Sequence, residues 1–230
     1  MFQIEGLSSL TALRMQSVSA SEIPSLHQIL VACGLDLQER LGLDYWVPPY
    51  PLEKMVGDLG DKRIYGVFSG EEAIATFTLE TTMPPEYTQY GKIRWQVKHR
   101  LAMYVHRLAV LPSWQGRGLG TWCLQSIETL AAEQGCSAVR LDAVKVNRNL
   151  LAFYKRRGYR LVGELIYPPE TLFNDAFVWE KVLTNLTTEN AEPQYQIFAF
   201  SAMEWIVGRW FPMTEIHTNC IKLSEVGLWI

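Results

Sequence analysis

The sequence predicts a mixed α/β domain, and three observations carry that prediction. Leu101 to Leu111 (LAMYVHRLAVL) reads as a strand closed by Pro112, because a proline cannot donate to a sheet ladder. In the following stretch Leu119, Cys123, Ile127, Leu130 and Ala131 recur every three to four positions, which puts one apolar stripe on a helix. Strand-like and helix-like segments alternate along most of the chain, the order expected of an α/β or α+β architecture.

Taken in order, Ala12 to Val18 predicts a first strand, and the Ser21/Glu22/Pro24 cluster starts a helix with Leu26, Ile29, Leu30 and Cys33 on one face. Gly34 is the expected stop of that helix. The run Tyr45-Trp46-Val47-Pro48-Pro49-Tyr50-Pro51 is excluded from a helix by its three prolines, which remove donors and restrict the residues before them. Leu52 to Leu59 predicts a short helix, and Arg63 to Phe68 and Ala73 to Thr82 predict a hairpin joined through Ser69-Gly70. After the Leu119 to Glu133 helix, ended by Gly135, come a buried strand at Ala138 to Val144 and a helix at Leu150 to Arg157 stopped by Gly158. Strands at Tyr159 to Ile166 and Phe177 to Leu183 follow.

Past Leu183 the composition turns polar, so residues 184–194 read as a linker and residues 195–230 as an aromatic-rich extension. Phe200, Met203, Val207 and Trp210 share one face of a candidate helix there. So short a piece seldom folds alone, which makes this face a candidate for packing on the main domain or for a homodimer contact.

The totals narrow the functional classes. Of 230 residues, 48% are hydrophobic and 20% charged, the composition of a packed globular protein. A formal charge of −3 provides no basic footprint for a nucleic-acid backbone. Cys33, Cys123, Cys136 and Cys220 are scattered without metal-ligand spacing, so buried reduced thiols are expected and no metal is. The N-terminus has neither a basic n-region nor a long apolar stretch, and the expectation is a cytoplasmic protein without a membrane partner.

The chemistry concentrates in Gln115-Gly116-Arg117-Gly118-Leu119-Gly120-Thr121, between a strand and a helix. Glycines let a backbone turn tightly and approach a ligand, so the free N–H groups of a helix start can point at an anion. The loop suits a pyrophosphate. It lacks the Gly-Lys-Ser/Thr of a P-loop. A dinucleotide site is an alternative, with Asp142 near the end of the next strand as a ribose ligand, but Thr121 stands where a third glycine or alanine belongs.

With Gln115, Gly118 and Gly120 in this arrangement, the sequence resembles the GNAT acyltransferase superfamily, whose cofactor loop reads Gln/Arg-x-x-Gly-x-Gly/Ala. Upstream, Tyr104 to Pro112 resembles that family's central strand; downstream, Asn147, then Tyr154, then Gly158-Tyr159 resembles its Asn…Tyr…Gly-aromatic signature. The resemblance covers residues from about 10 to 183. It implies a mostly antiparallel central sheet flanked by helices, with a splayed central strand pair, and a short C-terminal extension beyond it.

The resemblance further implies an N-acetyltransferase that uses acetyl-CoA as co-substrate. Leu108, Ala109 and Val110 would offer backbone groups to the pantetheine arm, and Gln115, Gly116, Arg117, Gly118, Leu119, Gly120 and Thr121 would hold the pyrophosphate, with Asn147 contacting the cofactor. A substrate amine would attack the thioester directly, with Tyr154 as general acid to the leaving sulfur. The acceptor is expected to be a primary amine on a small metabolite or on a peptide or protein.

An attacking amine must first lose a proton, at a cost of roughly 4–5 kcal/mol near neutral pH for an alkyl amine. Glu80, near a strand end, and His106, on the central strand, are candidate bases, although each also suits a structural role. His106 precedes Leu108 by two residues and is expected on the same side of the strand. Tyr45, Trp46 and Tyr50 in the proline-rich loop are candidates either for enclosing the acceptor or for plain packing. A non-catalytic acyl-CoA-binding module of the same fold is the remaining alternative.

Overall fold

The computed structural model describes residues 13–169 and 174–183, and every structural statement below concerns those residues. The linker and the Phe200/Met203/Val207/Trp210 face lie outside them, as does Cys220. In chain order the elements are β1 (Leu13–Ser17), α1 (Ile23–Leu41), α2 (Leu52–Gly57), β2 (Arg63–Ser69), β3 (Glu72–Glu80), α3 (Pro85–Gln89) and β4 (Gly91–Ile93). Then come β5 (Ala102–Val110), α4 (Leu119–Glu133), β6 (Ala138–Val144), α5 (Arg148–Arg156), β7 (Arg160–Leu165) and β8 (Ala176–Val182).

The strands form one sheet in the order β1-β2-β3-β5-β6-β8-β7-β4. Its pairs are antiparallel except β5 with β6. A sheet with a single parallel pair is not the doubly wound parallel sheet of a dinucleotide fold, so that alternative falls.

Helices cover both faces. On one, Leu124, Ile127 and Ala131 of α4 and Tyr154 of α5 pack with Val67, Phe77, Val105 and Leu141. On the other, Leu26, Ile29, Leu30 and Cys33 of α1 pack with Met55, Ile64 and Phe68. Ile127 is fully buried, and burying a side chain of that size stabilises by about 1.5–3 kcal/mol. No helix among the described residues is long and apolar enough to cross a membrane.

The strand predictions agree with the structure to within a few residues, and Gly34 does not. It does not stop α1, which runs to Leu41 and ends at Gly42 in the left-handed region (φ 65°), with the Gly42 N–H donating to the Gln38 carbonyl and the Leu43 N–H to the Leu37 carbonyl. Gly34 is buried inside the helix, and a Cβ there would sit 2.5 Å from the Trp46 carbonyl oxygen. The glycine serves close approach of the 45–51 loop rather than termination.

Two features near the sheet centre position the site. The parallel ladder holds only from Ala102↔Ala138 to Val105↔Leu141; beyond it β5 stays with β3 and β6 stays with β8, so the two strands part. Opposite β3, Thr76 pairs with Ala109 and Thr78 with His106, leaving Arg107 and Leu108 against Phe77 alone. This is a β-bulge, with Arg107 at φ 51°.

The bulge resets side-chain alternation. Met103, Val105, Leu108 and Val110 share one core cluster, whereas Tyr104 and Ala109 belong to the clusters of the opposite side. His106 therefore does not share a face with Leu108, which corrects the expectation from simple alternation.

Away from the opening, Arg140 on β6 and Glu180 on β8 form a buried ion pair at 3.0 Å. Arg140 also donates to the Tyr104 hydroxyl (2.8 Å) and the Val97 carbonyl (2.6 Å), and the Gln96 N–H donates to Glu180 (2.6 Å). These bonds satisfy the buried charges and fasten Gln96 and Val97 to the sheet.

Candidate active site

The parting of β5 from β6 opens a cavity of about 730 Å³, lined by both strands, the start of α4, one side of α5 and the Tyr45-Trp46 loop. At one end lies the glycine-rich turn. Gly116 (φ 75°) and Gly118 (φ 85°) take backbone angles that L side chains resist, and Gly118 is the uncapped N-terminus of α4. The first helical hydrogen bond runs from Trp122 N to the Gly118 carbonyl at 3.0 Å. The amides just before it, through Thr121, meet no backbone acceptor among the described residues, the arrangement that binds anions at a helix start.

Gln115, Gly116, Gly118, Gly120 and Thr121 line the cavity, and Arg117 and Leu119 do not. Gln115 instead fastens the turn to β5, its Nε2 donating to the Val110 carbonyl at 3.0 Å. Arg117 lies over the Trp114 ring at 5.4 Å, and the Leu119 side chain is buried in the core. Arg40 and Arg157, which the sequence reading did not single out, add positive charge to the wall.

Along the opening, Leu108, Ala109 and Val110 line the cavity from β5. On the far side Cys33 donates its thiol to the Val110 carbonyl at 3.2 Å. Burial pushes the Cys33 and Cys123 thiols up to about 12, and Cys33, Cys123 and Cys136 are all buried and reduced, so they are not activated nucleophiles.

At the apex, His106 and Asp142 are the first residues past the last parallel pair, and both line the cavity with Tyr154. Tyr154 is buried against Phe153 and Tyr159, with ring centroids 5.6 and 5.8 Å away. Burial, reinforced by the charge of Asp142, raises its phenol well above the usual range, so it stays a proton donor. Burial likewise raises the Asp142 carboxyl, opposed by a 2.9 Å hydrogen bond from the Tyr87 hydroxyl and by His106.

Glu80 does not line the cavity. Its Oε1 lies 2.7 Å from His106 Nε2 and 3.1 Å from Lys62 Nζ. Burial pushes the Glu80 carboxyl up, but His106 and Lys62 together outweigh it and hold the carboxyl below its usual range. Next to this group Arg107 pairs with Asp58, bonds Thr78 Oγ1 at 3.1 Å and stacks on the Tyr50 ring at 4.1 Å.

Of the three loop aromatics, Tyr45 and Trp46 line the cavity and Tyr50 does not. The Tyr50 ring is occupied by Arg107, and its carbonyl accepts from His27 at 2.9 Å. Asn147 lines the cavity, and its side chain is engaged within the protein, with Leu150 N and the Tyr45 hydroxyl as partners. The sequence suggests Asp142 only as a ribose ligand; the signal for more is a second charged residue, beside Arg140, in the buried strand AVRLDAV. Tyr87 carried no comparable signal.

The acetyltransferase (GNAT) family model matches residues 26–159. The chain is 34% identical over 144 residues to the uncharacterized N-acetyltransferase YesJ of Bacillus subtilis, covering 60% of this chain and 77% of that protein. In fold it is similar to a GNAT-family acetyltransferase from Streptococcus agalactiae, with TM-score 0.62 and 15% identity over 76% of this chain and 98% of that one. It is similar too to the PaiA N-acetyltransferase of Thermoplasma acidophilum, solved with coenzyme A, with TM-score 0.54 and 16% identity over 75% of this chain and 99% of that one. With more than half of its length matched by the family model, the chain belongs to the acetyltransferase (GNAT) family of acetyl-CoA-dependent acyltransferases.

Proposed function

We propose that the protein moves the acetyl group of acetyl-CoA to a primary amine, of a small metabolite first and of a peptide or protein second, by direct attack in a ternary complex. The observation that carries the reading is the continuity of one cavity from the uncapped start of α4 to Tyr154, along the edge of β5 released by β6.

The residues present fit acetyl-CoA. The amides before Trp122, with Arg40 and Arg157, suit its phosphates. The backbone of Leu108 to Val110 suits an extended amide-bearing arm, in the manner of strand addition, and a backbone N–H of β5 would stabilise negative charge developing on the carbonyl oxygen. Asn147 contributes by shaping the wall opposite.

Acetyl-CoA supplies an activated acyl thioester, so no acyl-enzyme is required. Tyr154, kept protonated by burial, donates to the departing sulfur. His106, held by Glu80, orients the incoming amine or a water beside it. Tyr45 and Trp46 enclose the acceptor, whereas Tyr50 acts only through Arg107.

A panel of amines, assayed for released CoA thiol beside a thermal-shift titration with acetyl-CoA, tests the reading. We expect acetyl-CoA to raise Tm and at least one amine to release thiol. A Tm unmoved by acetyl-CoA, or bound acetyl-CoA that never turns over, would contradict it.

A further inference from the structure

The acetyl-transfer reading leaves one demand unmet, the removal of a proton from an amine that is mostly an ammonium ion near neutral pH. Glu80 meets it poorly. It lies off the cavity wall, pinned between Lys62 and His106, and a carboxylate stabilised in this way is a weak base.

Asp142 is placed differently. It follows Leu141, the last β6 residue paired with β5, and so stands where the opening begins. Leu141 and Ala143, on either side of it in β6, turn into the core that holds Leu124 and Ile127, so Asp142 turns to the other face of the sheet, where Tyr87 and Tyr104 pack, and it lines the cavity together with Tyr154. Tyr87, buried on α3, holds one carboxylate oxygen at 2.9 Å. A half-buried carboxylate whose bonded partner is a phenol calls for a cation or a proton, and no Lys or Arg side chain is bonded to it among the described residues.

Resting on that reading, we propose that Asp142 binds the protonated amine of the acceptor and takes its proton before attack, so that the acceptor enters as an alkylammonium ion. One N–H bond of the ammonium breaks and the proton passes to the Asp142 carboxylate, leaving a neutral amine. The nitrogen lone pair then bonds the acetyl carbon, and the C–S bond breaks with its electrons on sulfur. Tyr154 protonates the thiolate and is reprotonated by the second proton of the new amide nitrogen. Asp142 returns its proton to solvent, so one proton is released per acetyl transferred. Tyr87 is a positioning residue that acts through Asp142.

The groups that act on the Asp142 charge are His106 from β5, Tyr87 and Glu86 from α3, Tyr154 from α5, and Tyr167 after β7. Burial raises its carboxyl and the Tyr87 bond lowers it. Activity therefore falls on the acid side as Asp142 protonates, and losing the Tyr87 hydroxyl moves that limb to higher pH.

The test is kcat/KM against pH for wild type, Asp142→Asn and Tyr87→Phe, with acetyl-CoA binding followed by thermal shift. Asp142→Asn should lower kcat/KM for an alkylamine by on the order of 100-fold and abolish the acid limb while acetyl-CoA still raises Tm. An arylamine, already neutral at pH 7, should lose much less. Tyr87→Phe should keep activity above the limb and shift the limb upward. An unchanged profile in Asp142→Asn, equal losses for both amines, or a parallel loss of acetyl-CoA binding would overturn the assignment alone. Wild-type protein that turns over no amine would overturn the acetyl-transfer reading with it.

Discussion

Asn147 Nδ2 donates a 2.7 Å hydrogen bond to the Tyr45 hydroxyl, joining residues 102 apart in sequence. The same side chain caps α5, its Oδ1 accepting from Leu150 N at 3.1 Å. One amide thus fixes the aromatic loop and the helix that carries Tyr154. Tyr45→Phe should cost about 0.5–1.5 kcal/mol and raise the acceptor KM with acetyl-CoA affinity unchanged. Asn147→Ala should cost about 1 kcal/mol more, because the cap is lost too. Urea denaturation of the two variants measures the difference.

Tyr154→Phe removes the donor and keeps the ring contacts with Phe153 and Tyr159. Turnover should fall by about 100-fold or more, with acetyl-CoA still raising Tm. Measuring kcat and the acetyl-CoA thermal shift on one preparation separates these effects. Unchanged turnover removes Tyr154 from the mechanism.

Much of the fold was legible because its signals are local. The apolar stripe of α4 and the run that forms β5 depend on neighbours in sequence, as does the glycine-rich turn before α4. The site was legible only as far as backbone and motif reach. The bulge at Arg107 obeys no local rule in LAMYVHRLAVL, so simple alternation puts His106 and Leu108 on one face, and only the family resemblance points to the strand separation. Gly34 suggests a stop because a glycine that ends a helix and one that admits a neighbouring backbone look alike in sequence. α3 and β4 are too short to carry a periodic pattern, being only 5 and 3 residues long, and β4 is held by pairing to the distant β7. The meeting of Tyr87 with Asp142, 55 residues apart, is set by tertiary packing alone.

Gly34→Ala tests the close approach of helix and loop. The added methyl would press on the Trp46 carbonyl, a backbone atom that moves only with its loop. We expect destabilisation of about 1–3 kcal/mol by urea denaturation, although alanine favours helix more than glycine does. A stabilised variant would show that the loop yields freely.

Glu80 gives a pH signature. Its folded-state pKa lies below the unfolded value of 4.5, so its contribution to stability is complete above about that pH and fades as pH falls through the lower folded value. The stability gap between wild type and Glu80→Gln should therefore be widest near neutrality and narrow toward pH 3, as followed by denaturant midpoints. A gap that grows on acidification would contradict the His106 and Lys62 pairing.

A crystal structure of the protein with acetyl-CoA tests the central claim most directly. The account predicts the diphosphate against the backbone amides between Gly116 and Thr121, and the thioester between β5 and β6 within reach of the Tyr154 hydroxyl. Acetyl-CoA bound elsewhere, with those amides turned to acceptors of the protein itself, would contradict it.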